Sequence, residues 1–108
     1  MAARSDLARQ VGRRIAELRQ RAGLSQREFA EQLGWARDTV AHYELGRREL
    51  GLERLGVIAQ ALQVSPATLL ARDEQATVLL ALDARPELLG EVSFFLLALE
   101  RGGDPPSL

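Results

Sequence analysis

Two short amphipathic segments separated by a glycine constrain this 108-residue chain more than any other feature. Ser25 and Glu28 have the spacing of a capping box, which predicts that a helix begins here. Apolar residues follow at helical spacing as far as Leu33. Gly34 is suited to end this helix because glycine tolerates a positive φ. The stretch therefore predicts one short helix followed by a tight corner.

A second helical pattern begins almost at once and covers residues 36–44. Val40 and Tyr43 occupy its inward face, and its outward face carries Arg37, Asp38, Ala41 and His42. Two helices joined by a short turn that contains glycine form a helix-turn-helix. The second helix of that motif lies in the major groove of DNA, so the pattern predicts a DNA-binding protein.

The flanking segments supply apolar stripes that can close a core around this motif. Residues 5–22 predict a first helix with the stripe Leu7, Val11, Ile15, Leu18 and Ala22. Residues 52–62 predict a fourth helix with Leu52, Leu55, Ile58, Ala59 and Leu62 on one face. Residues 66–71 predict a fifth helix, in which Leu69 and Leu70 close the core. The expected fold is all-α.

Charge divides the chain into two unequal parts. The net charge is −1, but residues 1–72 carry twelve Arg and eight acids, a balance of +4. Residues 73–108 carry two Arg and seven acids, a balance of −5. A basic body suits a nucleic-acid partner, and an acidic tail is typical of an interaction segment.

Several classes of protein are not expected. The chain has no Cys and one His, which predicts neither a disulfide framework nor a metal site. It shows no catalytic motif and no cofactor-binding motif, so we predict a protein that is not an enzyme. Its longest apolar run is far shorter than a membrane span, and its N-terminus has no secretory signal. We expect a cytoplasmic protein without a membrane partner, and no ligand pocket is apparent.

Residues 11–70 resemble the Xre-type helix-turn-helix family, which includes phage repressors. The resemblance rests on the run IAELRQRAGLSQREFAEQLG, on Glu44 followed by L-G-R, and on LERLGVIAQALQVSPATLL. It implies a five-helix, repressor-like DNA-binding domain, which we assign to residues 1–72.

The resemblance also implies roles for individual residues. Gln26 matches a position whose side chain and amide contact phosphate, and Arg19 and Glu44 match a structural charge pair. The predicted set of DNA-contacting residues is Gln26, Arg27, Ala36, Arg37, Asp38, Thr39, His42, Arg47 and Arg48. Asp38 has two alternatives, since its carboxylate can accept from cytosine N4 or can hold Arg37.

Three positions depart from the family pattern. Ala36 stands where Ser or Thr is usual, so the recognition helix lacks its side-chain cap. Trp35 replaces a smaller aliphatic residue, and it either fills the corner of the motif or reaches the DNA backbone. Leu50 and Gly51 stand where Pro-Ser is common, which leaves the path of the preceding loop open.

Residues 73–108 predict a C-terminal appendage of one or two helices. One helix runs to about Ala84, and Pro86 restarts a second helix that is unusually apolar. We predict that the second helix forms a homodimer interface through Leu88, Val92, Phe94, Phe95, Leu96 and Leu99. The alternatives are that it packs back on its own domain or binds a different protein. Residues 104–108 predict a frayed tail.

These patterns together favour a sequence-specific transcriptional regulator, with repression the preferred hypothesis, that binds a palindromic operator in double-stranded DNA as a homodimer. The alternative is an antitoxin whose C-terminal helices bind a toxin.

Overall fold

The computed structural model describes residues 2–102, with side chains from Asp6 onward, so the predicted tail lies outside the described residues. Within this range the chain forms α-helices and one 3₁₀ turn at Pro86–Leu88, with no β-strand. The helices are α1 Ala2–Arg21, α2 Gln26–Leu33, α3 Arg37–Glu44, α4 Leu52–Ala61, α5 Pro66–Leu70, α6 Asp73–Ala84 and α7 Leu89–Glu100. The all-α prediction is confirmed.

The capping box of α2 forms as predicted. The hydroxyl of Ser25 accepts from the Glu28 N–H at 3.0 Å, and the Glu28 carboxylate accepts from the Ser25 N–H at 2.9 Å. The Ser25 backbone N–H, followed by the Ser25 hydroxyl, lowers the pKa of Glu28 because both favour the charged carboxylate. The stabilisation from this lowered pKa is present above the ordinary carboxyl pKa and is lost as the pH falls through the folded value.

The corner between α2 and α3 also follows the prediction. Gly34 has φ 74°, and the N–H of Trp35 donates to the carbonyl of Ala30. Ala36 occupies the N-cap position of α3 and makes no side-chain capping bond. The recognition helix therefore begins without the 1 kcal/mol or so that a serine cap contributes.

Helices α1 to α5 together enclose a single hydrophobic core. Its buried apolar members are Val11, Ile15, Leu18, Phe29, Ala30, Val40, Tyr43, Leu55, Ile58, Ala59 and Leu69. Four predicted members of the apolar stripes lie outside this core, since Leu7, Leu52 and Leu70 are 49%, 85% and 44% exposed and Ala22 is exposed as well. Leu52 is the first residue of α4 and Leu70 the last of α5, so both project beyond the layer that the other stripes close.

Helices α1 and α3 approach so closely that only a glycine fits between them. A Cβ atom built on Gly12 would lie 2.4 Å from the carbonyl oxygen of Glu44 and 2.5 Å from that of Tyr43. Both neighbours are backbone atoms, which cannot rotate away. Gly12 therefore sets the distance between α1 and the C-terminal end of the recognition helix.

Helix α6 is attached to this body by hydrogen bonds near both of its ends and by packing. At its start, the buried guanidinium of Arg14 donates to Asp73 at 2.6 Å and to the carbonyl of Thr68 at 2.8 Å. Near its end, the carboxylate of Asp83 accepts from the Thr68 hydroxyl at 2.7 Å. Ala76 between them is 3% exposed. Helix α6 is thus held by α1 at its start and by α5 near its end.

Helix α7 stands apart from the core, since it contains no buried residue. Five of its large apolar side chains, Leu89, Phe94, Leu96, Leu97 and Leu99, are about half exposed, while Val92 and Phe95 are partly buried. The radius of gyration is 16.5 Å, whereas a compact chain of this length has about 13 Å. In this conformation the apolar face does not fold back into the core.

We expect Gly12→Ala to destabilise the protein by about 1–3 kcal/mol, because the added methyl group must push two helix backbones apart. Urea unfolding monitored by circular dichroism measures the change in the free energy of unfolding.

Gly56→Ala is the matched control, since Gly56 lies inside α4 and an added Cβ meets nothing within 4 Å. It should stabilise the protein by about 0.5–1 kcal/mol through helix propensity. Equal effects of the two substitutions would contradict the close contact at Gly12.

Candidate nucleic-acid interface

The outward face of α3 is accessible to solvent, which is required of a helix that binds in the major groove. The side chains of Arg37 and Asp38 are 51% and 75% exposed, and His42 is exposed. Thr39 is partly exposed beside them, while Val40 and Tyr43 are buried beneath. The predicted division of this helix into an outer and an inner face is therefore present.

A buried ion pair fixes the C-terminal end of α3 against α1. Arg19 donates through Nε to Glu44 at 2.6 Å and through Nη2 at 3.0 Å, and its Nη1 donates to the carbonyl of Leu24. The two side chains are 9% and 5% exposed. Such a pair stabilises a fold only when its remaining donors and acceptors are satisfied, as they are here. The predicted structural pair is present.

From this ion pair a chain of hydrogen bonds runs outward to the recognition face. Gln26 donates through Nε2 to Glu44 at 2.9 Å, which directs its Oε1 toward α3. Arg37 donates through Nη1 to that Oε1 at 3.0 Å and through Nη2 to Asp38 at 2.8 Å. The guanidinium of Arg37 is thus held on both sides before any DNA arrives.

These contacts bear on the predicted roles of Asp38 and Gln26. Asp38 holds Arg37, which is one of its two predicted alternatives. The Gln26 side chain is occupied by Glu44 and Arg37, so it orients the guanidinium of Arg37. Its backbone N–H lies in the first turn of α2, where N–H groups lack helical partners and suit a phosphate.

The loop after α3 presents two exposed arginines, Arg47 and Arg48. Gly46 has φ 69°, and an added Cβ would lie 2.9 Å from the backbone of Arg9, so this loop packs tightly on α1. The guanidinium of Arg48 lies 5.5 Å from the centre of the Tyr43 ring, a cation–π distance. Arg27 is also exposed, on α2.

Trp35 fills the corner of the motif, which was one of its two predicted roles. It is partly buried against the core, and its ring lies 6.0 Å from that of Tyr43 in an edge-on arrangement. Arg54 of α4 stacks over Trp35 at 4.6 Å and donates to the Tyr43 hydroxyl at 2.9 Å. No sequence pattern indicated this role for Arg54.

The same surface also brings in Arg13. It is an exposed residue of α1 that lines one shallow depression together with Gln26 and Arg37. The sequence showed only that Arg13 lies off the apolar stripe. Its place beside the recognition face depends on how α1 crosses α3.

Residues 2–102 contain neither a metal-binding cluster nor a membrane-spanning helix. No three His, Asp or Glu side chains lie close enough together there to hold a metal ion. None of the helices in that range has the length and apolar character needed to cross a membrane.

An accessible α3 carried by a packed α2 and a glycine corner defines a helix-turn-helix DNA-binding protein. A family model described as helix-turn-helix matches residues 15–69, just over half of the chain. The chain therefore belongs to the Xre-type helix-turn-helix family of transcription regulators, as its sequence predicted.

Three relatives illustrate this membership. The chain is 34% identical over 64 residues to the HTH-type transcriptional regulator ImmR of Bacillus subtilis, covering 59% of this chain and 50% of that regulator. The restriction-modification controller protein C.AhdI of Aeromonas hydrophila is 38% identical, with a TM-score of 0.55 over 59% of this chain and 96% of its own. The clp gene regulator ClgR of Corynebacterium glutamicum is 30% identical, with a TM-score of 0.57 over 80% and 88%.

The chain spans about half the length of ImmR. ImmR is named a transcriptional regulator, ClgR a gene regulator and C.AhdI a controller protein.

We expect Glu44→Ala to destabilise the protein by about 3–5 kcal/mol, because it leaves the buried guanidinium of Arg19 without its counter-charge. The free energy of unfolding in urea gives the magnitude.

Glu87→Ala removes a partner from the exposed Arg85–Glu87 pair and serves as the control. It should change stability by less than about 1 kcal/mol. A loss of similar size in both variants would show that the Arg19–Glu44 pair contributes no more than a surface contact.

Proposed function

We propose that this protein is a sequence-specific transcriptional regulator that binds a palindromic operator as a homodimer. The observation that supports this most is the anchored guanidinium of Arg37 on the accessible face of α3. A side chain held by two neighbours loses little freedom on binding, which favours selective contact with a base.

In this proposal each exposed group of the interface has one kind of target. Arg37 donates two hydrogen bonds to guanine O6 and N7, and Asp38 accepts from cytosine N4. Ala36, Thr39 and His42 lie beside them along the groove. The phosphates are bound by residues that surround α3, which are Gln26, Arg27, Arg47 and Arg48. Phosphate contacts orient the protein, and base contacts select the sequence.

Residues 1–72 supply the DNA contacts in this proposal, and residues 73–108 pair two copies. Helix α6 connects the DNA-binding part to the proposed pairing helix, because it is hydrogen-bonded to α5 while α7 remains unburied. The interface would consist of Leu88, Val92, Phe94, Phe95, Leu96 and Leu99. Pairing would place two copies of α3 in successive major grooves about 34 Å apart. Repression would follow when the dimer covers a promoter.

The antitoxin hypothesis draws on the same unburied α7, since an apolar, acidic helix also suits a different protein. Co-purification from the native host separates the two hypotheses. A stoichiometric second protein favours the antitoxin, and a symmetric dimer of this chain favours the regulator.

We expect Arg37→Ala to weaken operator binding by about 1–3 kcal/mol and to relax the preference at one base pair. The operator is first selected from a random duplex library, and affinities for it and its single-base variants are then measured by fluorescence anisotropy.

Arg47→Ala is the comparison, because a phosphate contact carries no sequence information. It should weaken binding to all duplexes alike and lower the slope of log K against log salt by about one unit. Unchanged operator preference in Arg37→Ala would refute the assignment of Arg37 as a base reader.

We expect the full chain to sediment as a dimer and Phe94→Glu to sediment as a monomer. Phe94 is 63% exposed in the single chain, so a charge there leaves the core intact but opposes burial between two copies. Sedimentation equilibrium gives the two masses.

Val78→Glu on α6 is the control, since Val78 is 56% exposed and lies outside the proposed interface. It should leave the dimer intact. If the Phe94→Glu protein remains a dimer, α7 is not the pairing element.

A further inference from the structure

A cavity of about 490 Å³ opens between α1, the loop after α3 and the ends of α4 and α5. We call it the leucine pocket. Its inner wall is formed by Val11, Tyr43 and Leu55, all of which belong to the core. The volume lies within the range of 300–1,000 Å³ typical of small-molecule sites. No sequence pattern pointed to this pocket, because its walls come from four separate segments.

The outer walls of the leucine pocket are apolar and still accessible to water. Leu7, Leu52 and Leu70 line its mouth and are 49%, 85% and 44% exposed. Single exposed leucines are common, but three around one opening form a continuous apolar surface. An apolar ligand that covers them gains the same free energy that core burial would have given.

One side of the mouth is charged. Arg47, Arg48 and Glu49 line it, so this side carries two positive charges and one negative charge, a balance of +1. Arg48 is held over the ring of Tyr43, which itself forms part of the inner wall. An apolar wall beside a net positive edge is complementary to a ligand with an apolar body and one anionic group.

We propose that the leucine pocket binds an amphipathic carboxylate, such as a medium-length acyl chain, and that this ligand releases the protein from DNA. The acyl chain of the ligand lies against Leu52, Leu55 and Leu70, and its carboxylate accepts hydrogen bonds from Arg47 and Arg48.

The regulatory half of this inference rests on the proposed function, because it uses the same two arginines. Arg47 and Arg48 cannot neutralise phosphates while they bind a carboxylate, so the ligand and DNA compete for the same two side chains. By linkage, bound DNA must lower the affinity of the protein for the ligand by the same factor by which bound ligand lowers its affinity for DNA. The ligand would therefore act as an inducer.

The binding half is tested first without DNA. Sodium decanoate, decanol and decyltrimethylammonium are titrated below their micelle concentrations into isotope-labelled protein, and leucine methyl shifts are followed by NMR. We expect saturable shifts at Leu7, Leu52 and Leu70, with decanoate about three- to fivefold tighter than decanol and the cation weakest. Absence of saturable shifts at these leucines, or equal affinity for all three probes, overturns the proposal.

Leu52→Gln and Val57→Gln form a matched pair of variants. Both residues are exposed on α4, but only Leu52 lines the leucine pocket. Decanoate should bind Leu52→Gln about tenfold more weakly and Val57→Gln as it binds the wild type. If Leu52→Gln instead lowers the mass of the dimer in sedimentation, the pocket is a contact between copies, and the ligand proposal fails.

The regulatory half is then tested with a mixed-sequence DNA duplex of about 30 base pairs at low salt. Decanoate should weaken binding of the wild type several-fold and leave Leu52→Gln unaffected, while both bind DNA equally without decanoate. Failure of the wild type to bind DNA at all would refute the proposed function. The NMR result would still stand, because that titration contains no DNA. DNA binding that decanoate does not change would refute the inducer role alone.

Discussion

The buried pair between Arg19 and Glu44 is the interaction on which the rest of the structure depends. Both charged side chains are almost completely removed from water. This burial is favourable only because each of their buried nitrogen and oxygen atoms has a hydrogen-bond partner. The pair joins α1 to the last residue of α3, so it fixes one end of the recognition helix. Through Gln26 it also reaches Arg37 on the other end of that helix. One interaction thus positions the helix and orients the arginine at its N-terminal end.

Steric contact complements this electrostatic constraint. Gly12 lets α1 meet the carbonyl groups of Tyr43 and Glu44, while Trp35 and Arg54 brace the corner from the other side. Helix α3 is only eight residues long, and a helix of that length is not stable alone in water. It also begins at Ala36 without a side-chain cap, so packing must supply the stability that local interactions do not. The recognition face is exposed because the opposite face is held so firmly.

The acidic C-terminal part is joined to the basic body by specific contacts and not by charge alone. Arg14 and Thr68, both buried, bind Asp73 and Asp83 at opposite ends of α6. Beyond Arg85 the chain leaves the body, and α7 exposes its apolar side chains. Helix α6 is therefore held against the DNA-binding helices, whereas α7 is not.

Local sequence determined the helices, the capping box at Ser25, the glycine corner at Gly34 and the family, because each depends on residues within a few positions of one another. The Arg19–Glu44 pair could also be anticipated, through the family resemblance. Only the tertiary structure revealed the contact at Gly12, the place of Arg54 on Trp35 and the leucine pocket. It likewise left Leu52 and Leu70 outside the core, although their spacing predicted burial. Spacing shows which face of a helix a residue occupies, but only the crossing of neighbouring helices decides how far that face is covered.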